Sequence, residues 1–451
     1  MRDKKDRESK TDKALLLRLL LIGGILLLAF LVFLIFRQAS LQQERELAAD
    51  AASRAAASAA AASAAAAVTP DPDTLPHAPL LSGPANQSAD TSSAPGSYSA
   101  GTSSAPGTDS YMDEADRLIA AMSLREKIAQ LFFITPDQLE AAGEQNYPVG
   151  GLVLSSKDIT APDQLSTFMK KTEIFSGKME KVPLFIGISE EGGKNSPLAE
   201  NGSFDTVKIP DMSEIGSDEN EDHAYTAGYT IGKYLKTYGF NLDFAPVAEL
   251  AGDAKGSAES SRCFGSDPDL VTAMTSGVCG GLKDAGVVPV MKYFPGLSHA
   301  SADTAEGYAS DSRTLDEMLE RELLPYRLAA SEKEPCVMAS HLSMPSVTGD
   351  RTPSSLSKKM ITGVLREKLG YSGIVITDAL NKKAVTSVYS SAEAAAAAVG
   401  AGCDMLLEPE DFPAAYEGVL QAVRTGKLTE ERLDRSVKRI LSVKLVYLKK
   451  P

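Results

Sequence analysis

Two apolar runs end in a charge that nothing earlier in the run prepares: residues 287–292 (VVPVMK) close on Lys292, and residues 374–378 (IVITD) close on Asp378. Charged groups partly buried at strand ends are costly unless they are paired or used. A carboxylate kept ionised by a cation on another strand end can attack an electrophilic carbon; the structural alternative is a plain ion pair between Asp378 and Lys292. The loop after Lys292, residues 293–306 (YFPGLSHASADTAE), adds His299, Asp303 and Glu306. An imidazole, or a carboxyl whose pKa is raised, can deliver a proton near neutral pH. Nucleophile and proton donor are thus both on offer.

Such groups need a frame. Short apolar runs recur at 128–135 (IAQLFFIT), 149–156 (VGGLVLSS), 182–189 (VPLFIGIS), 240–249 (FNLDFAPVAE), 287–292, 336–341 (CVMASH), 374–378 and 403–408 (CDMLLE). Helical patterns at 163–175, 222–238, 267–285, 315–331, 392–400 and 429–447 separate most of them. This alternation predicts an α/β fold, a closed parallel (β/α)8 barrel of the TIM type, in preference to a doubly wound sheet. The runs end in Thr135, Ser156, Ser189, Glu249, Lys292, His341, Asp378 and Glu408, and in such barrels the C-terminal rim carries function. Lys292 is expected on that solvent-facing rim.

The 451 residues divide into four parts. Residues 1–13 are a charged tail. Residues 14–37 contain an apolar run interrupted only by Arg18, long enough to cross a bilayer as a helix if Arg18 snorkels. A cleaved signal peptide is the alternative, but the run exceeds a usual signal core and no lipoprotein cysteine follows. The basic residues before the run predict a single-pass anchor with its N-terminus in the cytoplasm and the rest outside. Residues 38–110, first alanine-rich and then rich in Pro, Ser and Gly, cannot offset the entropy of ordering and read as a spacer. Residues 111–451 are the barrel.

Residues 1–37 hold eight Lys/Arg and four Asp/Glu, so residues 38–451 carry −18 of the chain's net −14. That acidity argues against nucleic acid as a partner. Cys263, Cys279, Cys336 and Cys403 have no metal-ligand spacing; two disulfides or four buried thiols are both open, and buried thiols suit a domain of this size better.

Five local patterns, in collinear order, carry a resemblance. They are EKIAQLFF, PLFIGISEEGG, GFNLDFAPVAE with RCFGSDP, KYFPG, and GIVITDAL; PSSLSKKMITGVLREKLGYSG leads into the last. From about Tyr111 to Leu448 the chain resembles the single-domain β-N-acetylhexosaminidases of glycoside hydrolase family 3. The resemblance implies retaining hydrolysis through a covalent glycosyl-enzyme, with Asp378 as nucleophile and Lys292 and Arg262 holding sugar hydroxyls. It matches His341 to a histidine at the end of the sixth strand. It implies no cofactor and no metal. The partners expected are an N-acetylglucosamine-containing glycan such as the cell wall, and the membrane through the N-terminal helix; oligomeric state is left open.

Departures from the family fall on one rim. Its histidine after the lysine is Tyr293, which can still donate one hydrogen bond or stack on a ring, and its strand-three aspartate is Ser189. The aspartate–serine–histidine triplet, whose histidine is the family's acid/base, reads Asp303-Thr304-Ala305. The orienting carboxylate of Asp303 remains and its imidazole is gone. His299 and Glu306 are the candidates to replace it. Lys382 stands where the family usually has methionine. These changes leave open a second reading, a catalytically impaired member kept as a glycan-binding or docking surface.

Overall fold

Eight parallel strands pair in chain order, and the pairing is what gathers the strand ends at one opening. In the computed structural model they are β1 (Phe132–Ile134), β2 (Gly151–Val153), β3 (Phe185–Ile188), β4 (Leu242–Asp243), β5 (Val288–Phe294), β6 (Cys336–Ala339), β7 (Ile374–Thr377) and β8 (Leu406–Leu407). Each of β1 to β6 bonds to its successor and β8 pairs with β1. An isolated parallel bridge between Ile376 and Met405 links β7 to the β8 segment across the remaining seam. The expected α/β barrel is therefore present, nearly closed.

The structure describes residues 108–142, 147, 149–179, 183–252 and 260–448. The expected tail, the anchor and nearly all of the spacer lie outside them. Among the described residues no helix is long and apolar enough to cross a membrane.

Strand alternation sorts the side chains into two cores. Phe185, Val288, Val290, Ile374, Ile376 and Met405 fill the barrel interior. Ile186, Met291, Val375 and Leu406 face outward and pack against the helices. Continuing the inward parity up each strand reaches Ser189, Lys292 and Asp378. This corrects the expected rim position of Lys292: β5 runs on to Phe294, and Lys292 is 1% exposed, forming part of the interior's top layer. The peptide bonds Lys292–Tyr293 and Phe294–Pro295 are cis.

The helices follow their sequence signals closely. Asp267 caps Pro268–Asp284 by accepting from the Leu270 amide, with Pro268 where a missing N–H costs nothing. The helix expected over 315–331 forms as two, Leu315–Leu319 and Leu324–Ser331, because Pro325 lacks the donor and disfavours helix in the residue before it. Two helices the sequence reading did not name are Phe412–Arg424 and Thr108–Ala121, the latter starting before residue 111. All four cysteines are buried free thiols.

Asp404, buried beside β8, takes a hydrogen bond from the Val375 amide at 3.0 Å and ion-pairs with Arg366, Arg432 and Arg439. Two of those arginines lie on the final helix, Glu430–Tyr447, whose Ile440 packs into the inner core. The last helix is thereby tied to the last strand.

Candidate active site

The opening is organised by a carboxylate to which the sequence reading gave no role. After β3 the chain turns through Gly192 and Gly193, with φ of 93° and 55°. A Cβ on Gly193 would fall on the Asp211 carboxylate, so the turn needs glycine on both counts. The turn holds Glu191 in the opening. Its carboxylate meets Lys292 Nζ at 2.5 Å and takes a two-pronged contact from Arg262, Nε at 2.7 Å and Nη2 at 2.8 Å. Burial by itself would raise the Glu191 pKa; Lys292 and Arg262 reverse that and hold it below the usual carboxylate range. Lys292 also donates to Ser189 Oγ at 2.8 Å. Burial works against the charge on Lys292, and Glu191 more than restores it, leaving its pKa raised.

Tyr293 stands at the centre of the cations. Arg262, Lys292 and Lys382 lie 5.9, 5.4 and 5.7 Å from its ring centroid, and Arg262 Nη2 donates to its hydroxyl at 3.1 Å. Lys382 in turn donates to Asp378 Oδ2 at 2.7 Å. One aromatic ring thus links the β5 lysine to the β7 carboxylate, and both face the same opening. The ion pair on Asp378 is made with Lys382, not with Lys292.

Asp378 is nearly buried. Burial pushes its pKa up, but Lys382, His341 and the Ala379 amide, which donates to Oδ1 at 2.8 Å, bring it below the ordinary aspartate value. His341 sits behind this carboxylate. Its Nε2 faces the Ala379 carbonyl at 2.9 Å, and a carbonyl can only accept, so the proton is on Nε2. Nδ1 then accepts from the Ser355 hydroxyl at 2.7 Å. Burial lowers the pKa of His341, which favours that neutral tautomer. The imidazole fixes the peptide next to Asp378.

The loop after β5 places its candidates apart. Asp303 Oδ1 accepts from the Ala305 amide at 2.8 Å, and its charge bears on Lys382 at the opening. His299 lies 3.6 Å from Glu322 and 3.1 Å from Ser298 Oγ, with its ring half exposed. Glu306 pairs with Lys383 at 3.0 Å in solvent.

A further carboxyl belongs to the opening. Glu408 follows β8 with a φ of 43°, its backbone oxygen accepting from the Asn381 amide at 3.0 Å and its Oε2 from the Asn381 side chain at 3.4 Å. Burial raises its pKa, helped by the charge of Asp378 and opposed by Asn381, Lys157 and Lys382. Beside the opening, a groove of about 390 Å³ is lined by Tyr308, Arg351, Lys383, Val388 and Tyr389. It abuts the β5 loop, since the Ala384 amide donates to the Thr304 carbonyl at 3.1 Å.

Inward parity was the signal that could have found Glu191, which continues the series Phe185, Gly187, Ser189. Lys382 was visible as an odd residue, but its target was not.

Residues 123–443 match the family described as the glycosyl hydrolase family 3 N terminal domain. The β-hexosaminidase LpqI of Mycobacterium bovis is 33% identical over 336 residues, 72% of this chain and 84% of that protein. A β-hexosaminidase of Bordetella parapertussis is 32% identical, over 58% of this chain and 73% of its own length. Among solved structures, a family 3 glycosyl hydrolase from Mycobacterium smegmatis superposes with a TM-score of 0.65 at 30% identity, covering 74% of this chain and 99% of that one. The family 3 β-N-acetylglucosaminidase of a Paenibacillus species gives 0.67 at 29% identity, over 73% of this chain; the match spans 64% of that longer protein. With the barrel, its inward carboxylate and these relatives in agreement, the chain belongs to glycosyl hydrolase family 3 and is a glycosidase of the β-hexosaminidase type.

Proposed function

We propose that the chain is a membrane-tethered, extracytoplasmic retaining β-N-acetylhexosaminidase acting on N-acetylglucosamine-containing glycans such as peptidoglycan. The observation that carries this reading is the placement of Asp378, ionised in the top layer of the barrel and sharing one opening with Lys292 and Arg262. Asp378 attacks the anomeric carbon, Lys292 and Arg262 donate to sugar hydroxyls from fixed positions, and the glycosyl-enzyme is then hydrolysed. Tyr293 and Ser189 border the same space, and His341 steadies the peptide beside the nucleophile. Asp303 and His299 remain the loop's candidates for orienting and moving the proton.

The adjoining groove, with tyrosines for stacking and Arg351 and Lys383 for acidic substituents, suits the leaving side of a longer glycan. Residues 14–37 would hold the barrel outside the membrane, and residues 38–110 would extend its reach to a wall. The test is release of N-acetylglucosamine from wall fragments by the full-length chain beside Asp378→Asn. Loss of product in the variant supports the reading, whereas equal product from both removes Asp378 from the reaction. Protease accessibility of the barrel in intact cells tests the topology.

Two observations favour a second reading. Lys382 occupies Asp378 Oδ2, and Ala305 stands at the family's acid/base position, as expected of a member that binds glycan without cleaving it. Calorimetric binding of a chitin disaccharide, with no turnover after long incubation, would decide for this alternative.

A further inference from the structure

The family's proton donor has no counterpart at Ala305. The neighbouring groups are engaged elsewhere, Asp303 with the Ala305 amide, His299 with Glu322 and Ser298, and Glu306 with Lys383. Across the opening from that loop, the carboxyl of Glu408 follows β8, next around the barrel from the β7 end that carries Asp378. We propose that Glu408 is the acid/base of this chain, passing its proton to the glycosidic oxygen opposite Asp378. This rests on the reading of Asp378 as nucleophile.

Three observations support it. The β7 and β8 loops are laced together, the Leu380 amide donating to the Leu407 carbonyl at 2.8 Å and the Asn381 amide to the Glu408 carbonyl at 3.0 Å, so the segments that carry the two carboxyls are held side by side and the charge of Asp378 bears on Glu408. Glu408 adopts a left-handed φ of 43°, which is unfavourable for a residue with a side chain and persists where the surroundings impose it, a pattern concentrated at functional sites. The two carboxyls also sit in opposed environments. Lys382 helps to hold the pKa of Asp378 below the ordinary aspartate value, while partial burial and the charge of Asp378 push that of Glu408 up. Two neighbouring carboxyls pushed in opposite directions are how one site obtains a nucleophile and an acid. The charged groups facing Glu408 are Asp378 and Lys382 from the β7 loop and Lys157 from the β2 loop, the last paired with Asp137 at 2.7 Å.

In the first step Asp378 Oδ forms a bond to the anomeric carbon as the glycosidic C–O bond breaks, and the Glu408 proton moves to the departing oxygen. In the second, water attacks the same carbon, its proton returns to Glu408, and the bond to Asp378 breaks. Both carboxyls end as they began.

The experiment compares full-length wild type, Asp378→Asn, Glu408→Gln, Glu408→Ala and His299→Ala on two substrates. One is a 2,4-dinitrophenyl N-acetylglucosaminide, whose leaving group needs no acid; the other is the chitin disaccharide. The expected result is that Glu408→Gln loses about 10²- to 10⁴-fold on the disaccharide and far less on the aryl glycoside. Azide should restore turnover of the aryl glycoside by Glu408→Ala, with β-glycosyl azide as product, and the alkaline limb of the pH–rate profile should vanish in Glu408→Gln. If Asp378→Asn is dead but Glu408→Gln hydrolyses the disaccharide normally, the assignment of Glu408 falls alone. The same holds if His299→Ala shows the selective loss instead. Wild type inert on both substrates would overturn the nucleophile reading and this one with it.

Discussion

Lys382 Nζ lies 2.7 Å from Asp378 Oδ2, a contact between residues i and i+4 on one loop. The ammonium both keeps the carboxylate ionised and covers the oxygen that would attack, so in the reaction proposed above it must swing aside as sugar enters. Lys382→Met removes a cation that lowers the pKa of Asp378. The acid limb of kcat/KM should therefore move to higher pH. A pH–rate profile on an aryl N-acetylglucosaminide reads this directly, and an unmoved limb would mean that Lys382 does not bear on the nucleophile in solution.

Glu191 is the counter-charge for the buried Lys292 and the partly buried Arg262. Glu191→Gln leaves Lys292 and Arg262 facing each other in the opening, and losing one partner of a buried pair costs about 3–5 kcal/mol. Thermal unfolding should drop by several degrees. The double variant Glu191→Gln with Lys292→Met should recover part of the loss, since it removes one of the stranded charges.

His341 acts through the peptide at Ala379. With His341→Ala, that carbonyl loses its donor and Asp378 its fixed setting, and misplacing a reacting group by a fraction of an ångström costs about 10- to 100-fold. The expected change falls on kcat, with KM little altered. A fall in KM-dependent binding alone would make the imidazole a sugar contact instead.

Asp404 should dominate the acid end of the stability curve. Burial raises its pKa, but Arg366, Arg439 and Arg432 together bring it below the aspartate value. A carboxyl depressed on folding contributes stability that is complete above its unfolded pKa, about 3.9, and is lost as pH falls through the folded value. Asp404→Asn should therefore unfold at lower urea than wild type at pH 7 and 5, with the gap narrowing below about pH 4. A gap independent of pH would separate the packing of Asp404 from its charge.

How far the sequence carried depended on whether the signal was periodic. The eight strands and most helices were legible because alternation and capping residues are local, and Lys292 and Asp378 were legible as charges ending apolar runs. Parity extended past the runs would also have put Lys292 inside the barrel and recruited Glu191. The contacts of Lys382 were out of reach, since its long side chain could point to solvent, to Asp303 or to Asp378, and only the fold selects among them. The same is true of Glu408, which the sequence shows only as one polar strand end among eight. Phe412–Arg424 had its signals in Asp411 and Pro413, and the break at Pro325 in residues 315–331 was equally readable.

The salt links from Asp404 to the final helix also set an order of events during synthesis. Strand β8 must reach back to β1, and the buried carboxylate beside it is balanced in part by arginines that follow it in the chain. A nascent chain halted after residue 428 would have the eighth strand and Arg366 but neither Arg432 nor Arg439, leaving Asp404 with one of its three cations. Emergence of the helix that carries Arg432 and Arg439, rather than of the last strand, is then the moment at which the cylinder can lock.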